Sequence, residues 1–100
     1  MLWVISCVDK PNTAAIRAEI LQPHRDYLKT QKSKIVLAGP TQSDDGEQAV
    51  GSLFIINVNS RDEAKAFIDG DPFTQGGVFA GVTIVRMRKG LLNPQVAEGA

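Results

Sequence analysis

The sequence predicts an α+β domain of ferredoxin-like topology, β-α-β-β-α-β, with both helices on one face of a four-stranded antiparallel sheet. Three observations carry this. The apolar runs Leu2 to Val8, Lys34 to Ala38, Gly51 to Asn59 and Val78 to Arg88 are short, rich in branched or aromatic residues and bounded by turn residues. Two segments with helical spacing, about 13–32 and 61–69, separate them in the right order. The chain has 100 residues, of which 43% are hydrophobic. That suits one domain with one modest core.

Each element has a local reason. Asp9-Lys10-Pro11-Asn12 ends the first strand, and Asn12 or Thr13 is placed to cap the first helix. Ile16, Ile20, His24 and Leu28 recur every four residues and fall on one side of that helix. Pro23 clashes with the carbonyl of Glu19 and has no N–H to offer it, so a kink or restart is expected at Gln22-Pro23. Gly39-Pro40 is expected to close the second strand, and Asp44-Asp45-Gly46 to form the tip of a polar loop. The near-continuous run Leu53-Phe54-Ile55-Ile56 predicts a central strand covered on both faces. Ser60-Arg61-Asp62-Glu63 is a capping box. It opens a helix that buries Ala64, Phe67 and Ile68 and stops at Gly70. Val82, Ile84 and Met87 are core candidates of the last strand. Residues 1–89 read as the domain and 90–100 as a flexible tail with little to pack.

Composition narrows the function. Eleven Lys and Arg balance eleven Asp and Glu, which argues against a nucleic-acid binder. The short basic clusters Lys29 to Lys34 and Arg86 to Lys89 read as solvated surface. One cysteine, Cys7, excludes an internal disulfide and a cysteine metal cage, and its apolar setting marks an inert buried thiol. No zinc site, metal or cofactor is expected. No apolar run is long enough to cross a bilayer, and no signal peptide is recognised, so a cytoplasmic protein is expected. The sheet face away from the helices still carries apolar residues. A second copy of the chain is the expected cover, as a two-fold homodimer.

His24, the only histidine, is the leading candidate for chemistry. Its ring points toward the sheet if the Ile16–Leu28 stripe is the buried one, and it follows Pro23 at a candidate helix start, where neutral imidazole is favoured. The plain alternative is a histidine satisfied by backbone. Asp71 precedes Pro72, which pushes it toward extended backbone. It can cap a short helix opened by Pro72, or it can orient an imidazole, which would make a competent general base. Arg17 and Arg25 are candidates for steering an anionic substrate; arginines on a helix face are otherwise solvated charges.

The chain resembles the YciI-like, or YCII-related, domain family over Met1 to Lys89. The features are the opening Met1-Leu2-Trp3-Val4-Ile5, the Arg17–Leu28 segment with Pro23, His24, Tyr27 and Leu28, the strand end Leu37-Ala38-Gly39-Pro40, and Asp69-Gly70-Asp71-Pro72-Phe73 followed by Gly77-Val78-Phe79. In this chain Pro23 abuts His24 without a spacer. The resemblance implies the same fold as a dimer closing into an α/β barrel, with further assembly left open. It also implies a site built on a His–Asp pair, here His24 and Asp71. Relatives include dehydrochlorinases, and the fold relation extends to muconolactone isomerases. The expected function is therefore general acid–base elimination or isomerisation on a small, anionic organic substrate. The competing class is a dimeric metabolite-binding or accessory module without turnover.

Overall fold

Along β1 (Leu2–Asp9), Trp3, Ile5 and Cys7 are buried while Leu2, Val4 and Ser6 on the opposite face are half-buried. This period of two is what a strand with one covered face requires. The computed structural model describes residues 1–100. After β1 come α1 (Ala14–Thr30), a 3₁₀ turn (Lys32–Lys34), β2 (Ile35–Gln42), β3 (Ala49–Asn57), α2 (Arg61–Asp69), α3 (Pro72–Gln75), β4 (Phe79–Met87) and α4 (Pro94–Ala97). The strands lie in the order β2-β3-β1-β4, and every neighbouring pair is antiparallel. The predicted α+β, ferredoxin-like arrangement is the observed one.

The core lies between the sheet and α1 and α2. Trp3, Ile5, Cys7, Phe54, Ile56, Val58, Ala64, Phe67 and Ile68 form one buried cluster, and Tyr27, Leu28, Ile35 and Ile84 close its margin. Ser60 accepts the Glu63 N–H, as the capping box predicts, but Glu63 reaches one residue further than expected and accepts the N–H of Asn59. The three expected residues of α2 are buried, and the helix ends at Gly70.

Several elements differ from expectation. Helix α1 is continuous through Pro23. Pro23 and Glu19 both lie on the exposed side, so water can satisfy the carbonyl that loses its partner. Neither expected cap acts through its side chain. The Thr13 hydroxyl donates to the Lys10 carbonyl, and Asn12 takes φ 61° in the preceding turn. Ile16 is exposed, and Arg17 takes the sheet-facing position beside it.

Strand β2 runs past Gly39-Pro40, and Pro40 lies opposite Ser52. Proline is tolerated there because β2 is an edge strand with an unpaired side. Strand β3 is central, but within one chain it is covered on one face only: Ser52, Phe54 and Ile56 are buried while Leu53 and Ile55 are half-buried. Of the expected β4 core, Ile84 packs inward, whereas Val82 and Met87 are 39% and 38% exposed. The edge position of β4 leaves Val82 uncovered. Met87 pairs with Leu2 on the open face. Val78, just before the strand, is buried instead. The 90–100 segment is exposed throughout and contains the short α4. No helix is long and apolar enough to cross a membrane.

Candidate active site

Helix α1 turns Arg17, Ile20, His24, Tyr27 and Leu28 toward the protein, the spacing of one helix face. His24 therefore looks down on the junction between α2 and α3. Asp71 occupies that junction in extended backbone, φ −71° and ψ 129°, as a residue before proline should. Its side chain has no solvent exposure.

Asp71 makes two contacts through one oxygen. Its Oδ1 accepts the backbone N–H of Phe73 at 2.9 Å, capping α3, and lies 2.8 Å from His24 Nδ1. With Asp71 ionised, Nδ1 carries the proton and donates it into this contact. The neutral ring then presents its lone pair at Nε2. Nε2 makes no hydrogen bond within the chain and is not sealed from solvent. The second oxygen of Asp71, Oδ2, is buried and has no partner.

Aromatic rings fix the walls. Phe73 stacks on the His24 imidazole with centroids 3.9 Å apart and planes 13° from parallel. Phe54 meets the same imidazole edge-on at 6.5 Å. The electrostatic reach of the site extends to Cys7 and Tyr27. Burial, then the charge of Asp71, then that of Asp9, push the Cys7 thiol up to about 12, with Arg17 opposing. That is an inert thiol, as the sequence predicts. Burial, then Asp71, also raise the Tyr27 phenol, whose hydroxyl donates to the Phe67 carbonyl at 2.7 Å.

The two arginines part company. Arg17 Nε donates to Asp9 Oδ2 at 2.7 Å, and Nη2 donates to Asp9 Oδ1, the Gly51 carbonyl and Ser52 Oγ at 3.3, 2.7 and 2.8 Å. Its Cζ lies 4.6 Å from the Phe73 ring centroid. Only Nη1 is left without a partner in the chain. Gly51 is a close-approach position, since a Cβ there would overlap the Cys7 carbonyl oxygen and come within 2.7 Å of Thr41 Oγ1. Arg25 is exposed and joins none of this.

Asp9 and Phe73 belong to the constellation but were not singled out as site residues from the sequence. Arg17, which binds the one and stacks on the other, stands seven positions before His24, two turns along the same face. Two surface cavities, of about 460 and 900 Å³, lie elsewhere. One sits beside Tyr27, Lys34 and Glu63, the other on the open sheet face along Ile55, Arg86 and Leu92. No group of three or more His, Cys, Asp or Glu side chains converges to hold a metal ion.

Residues 1–88 match the model of the YCII-related domain. The chain is 29% identical over 96 residues to an uncharacterized protein of Haemophilus influenzae, and 28% identical over 96 residues to protein YciI of Escherichia coli. Each alignment covers 89% of this chain and 98% of the relative. Among solved structures, it matches the 5-chloro-2-hydroxyhydroquinone dehydrochlorinase of Burkholderia phenoliruptrix AC1100, determined in complex with 2,5-dihydroxybenzoquinone. That match has a TM-score of 0.83 and 34% identity, over 90% of this chain and 96% of the other.

Proposed function

Because this chain belongs to the YCII-related domain family, we propose that it is a small enzyme using His24 as general base and Asp71 as the group that orients it. The observation carrying this reading is the 2.8 Å contact between Nδ1 and Asp71 Oδ1, which leaves Nε2 free for a substrate proton. The dehydrochlorinase relative supports elimination as the reaction class and a hydroxylated, quinone-like ring as the substrate class.

In this reading Nε2 removes an acidic proton conjugated with a carbon–halogen bond. That bond breaks, its electron pair leaves with the halide, and the proton stays on His24 until solvent takes it. The sum is loss of HX, with no oxidant or reductant consumed. Asp71 holds the ring in one tautomer and offsets the charge of the imidazolium. A positioned base contributes roughly 10²–10⁴-fold. Arg25, from the surface, and the remaining nitrogen of Arg17 add positive potential for an anionic substrate. The protein works in the cytoplasm as a homodimer whose open sheet faces meet to form an α/β barrel.

The test is chloride release from 5-chloro-2-hydroxyhydroquinone by the wild type and by His24→Ala. Release by the wild type, lost in a folded variant, supports the enzyme. Saturable binding of the quinol without release, unchanged in His24→Ala, would instead identify a metabolite-binding module.

A further inference from the structure

Phe73 touches the site twice. Its N–H holds Asp71 Oδ1, and its ring covers the imidazole that the same oxygen orients. The Arg17 guanidinium also lies over this ring. An imidazole 3.9 Å away and nearly parallel occupies one face of Phe73, so a guanidinium 4.6 Å from the same centroid has room only on the other. The helix agrees. Seven residues of α1 rise about 10 Å, enough to hold one ring between two planar groups.

We infer that Phe73 and Arg17 are positioning residues for His24, a clamp in which the sheet fixes the guanidinium, the guanidinium fixes the phenyl ring, and the phenyl ring fixes the plane of the imidazole. The inference rests on the general-base reading of His24. The hydrogen bond to Asp71 holds one end of the imidazole but leaves the ring a range of tilt about its side-chain bond. Stacking removes that range and so aims Nε2. A base works only within hydrogen-bond reach of the proton it takes, so its aim matters as much as its basicity. Arg17 suits the back of the clamp because its flat face stacks on an aromatic ring while its edge keeps hydrogen-bonding. That edge is anchored to two strands, by Asp9 in β1 and by Gly51 and Ser52 in β3.

His24 is the only histidine, so its ring nitrogens give one unambiguous set of NMR signals. In the wild type the expected result is one tautomer, with a protonated, solvent-protected Nδ1 and a pyridine-like Nε2. In Phe73→Leu both tautomers appear and the Nδ1 proton exchanges about tenfold faster, the scale of one aromatic contact. The residue 73 amide stays protected there, because Asp71 still caps α3. In Asp9→Asn, which touches neither ring, the shift is in the same direction and smaller. It decides alone if Phe73→Leu does not fold. A folded Phe73→Leu or Asp9→Asn protein with the wild-type tautomer and exchange rate overturns the clamp and leaves the His24–Asp71 pair standing. Averaged tautomers in the wild type overturn both.

Discussion

Asp71 reaches His24 with the same oxygen that caps α3: Oδ1 stands 2.8 Å from the imidazole Nδ1 and 2.9 Å from the Phe73 amide nitrogen. The fold and the proposed chemistry therefore draw on one atom, and substitutions at this position separate them. Asparagine keeps a carbonyl oxygen for the Phe73 N–H but cannot offset an imidazolium. Asp71→Asn is expected to stay folded, with its melting temperature nearly unchanged, and to lose roughly 10²–10⁴-fold in turnover. Alanine removes the cap as well, and Asp71→Ala is expected to lose a further ~1 kcal/mol of stability. Chloride release and thermal melts on the two variants check this pair of outcomes. Equal activity in Asp71→Asn and the wild type would remove Asp71 from the mechanism.

Alkaline pH is expected to destabilise the fold, and the direction follows from Cys7. Its thiol, ordinarily at 9.0, is held at about 12 in the folded protein. Below pH 9.0 both folded and unfolded chains keep the proton, and the stabilising contribution is complete. As pH rises toward 12 the unfolded thiol ionises while the folded one does not, so stability falls across that window. Tyr27, raised from 10.0, adds to the loss in the same sense. The single tryptophan, Trp3, is buried and reports unfolding. The urea midpoint from its fluorescence should decline steadily above pH 9, and folded protein at pH 8 should resist thiol reagents. Rapid labelling at pH 8 without unfolding would refute the assignment.

Gly51→Ala should destabilise the fold by about 1–3 kcal/mol, the usual penalty of forcing extra atoms into a filled space. The added methyl has no room between the Cys7 carbonyl and the Thr41 hydroxyl. Because Gly51 also offers its carbonyl to Arg17, the strand shift that relieves the overlap should disturb the Arg17 anchorage as well. A thermal melt at or above the wild-type value would contradict this.

The open face of the sheet carries Val8, Leu37 and Val85, 60%, 55% and 56% exposed in one chain. If two copies cover these faces, sedimentation should give about twice the 10.8 kDa chain mass. Val85→Glu should then move the population to monomer by burying charge against apolar surface. A wild type that sediments as one chain at every concentration rules out the pairing.

Much of the fold was legible because local signals agreed with the global arrangement. The capping residues Ser60 and Glu63, the buried side of α2 and the β-α-β-β-α-β succession of elements along the chain all followed from spacing. The pairing of His24 with Asp71 was suggested by residue type and by family resemblance, not by periodicity. What stayed hidden depends on neighbours distant in sequence. Pro40 extends β2 because that strand has a free side, which no local window records. Pro23 is absorbed because the rest of α1 is tied down by Arg17, His24 and Tyr27. Arg17 read as a candidate for steering an anionic substrate, or else as a solvated charge, because its partners, Asp9 and Gly51-Ser52, are brought to it only by the sheet. Phe73 read as part of a signature, and only the packing gives it two neighbours to hold apart.

Pro40 has a meaning beyond the strand it extends. A bare sheet edge is a template onto which another molecule can add a strand, and repeated addition leads to open stacks and fibres. The β2 edge presents an interrupted template, with one donor missing partway along. Strand addition from that side should stall at residue 40, which biases crowded molecules toward finite assemblies and away from filaments.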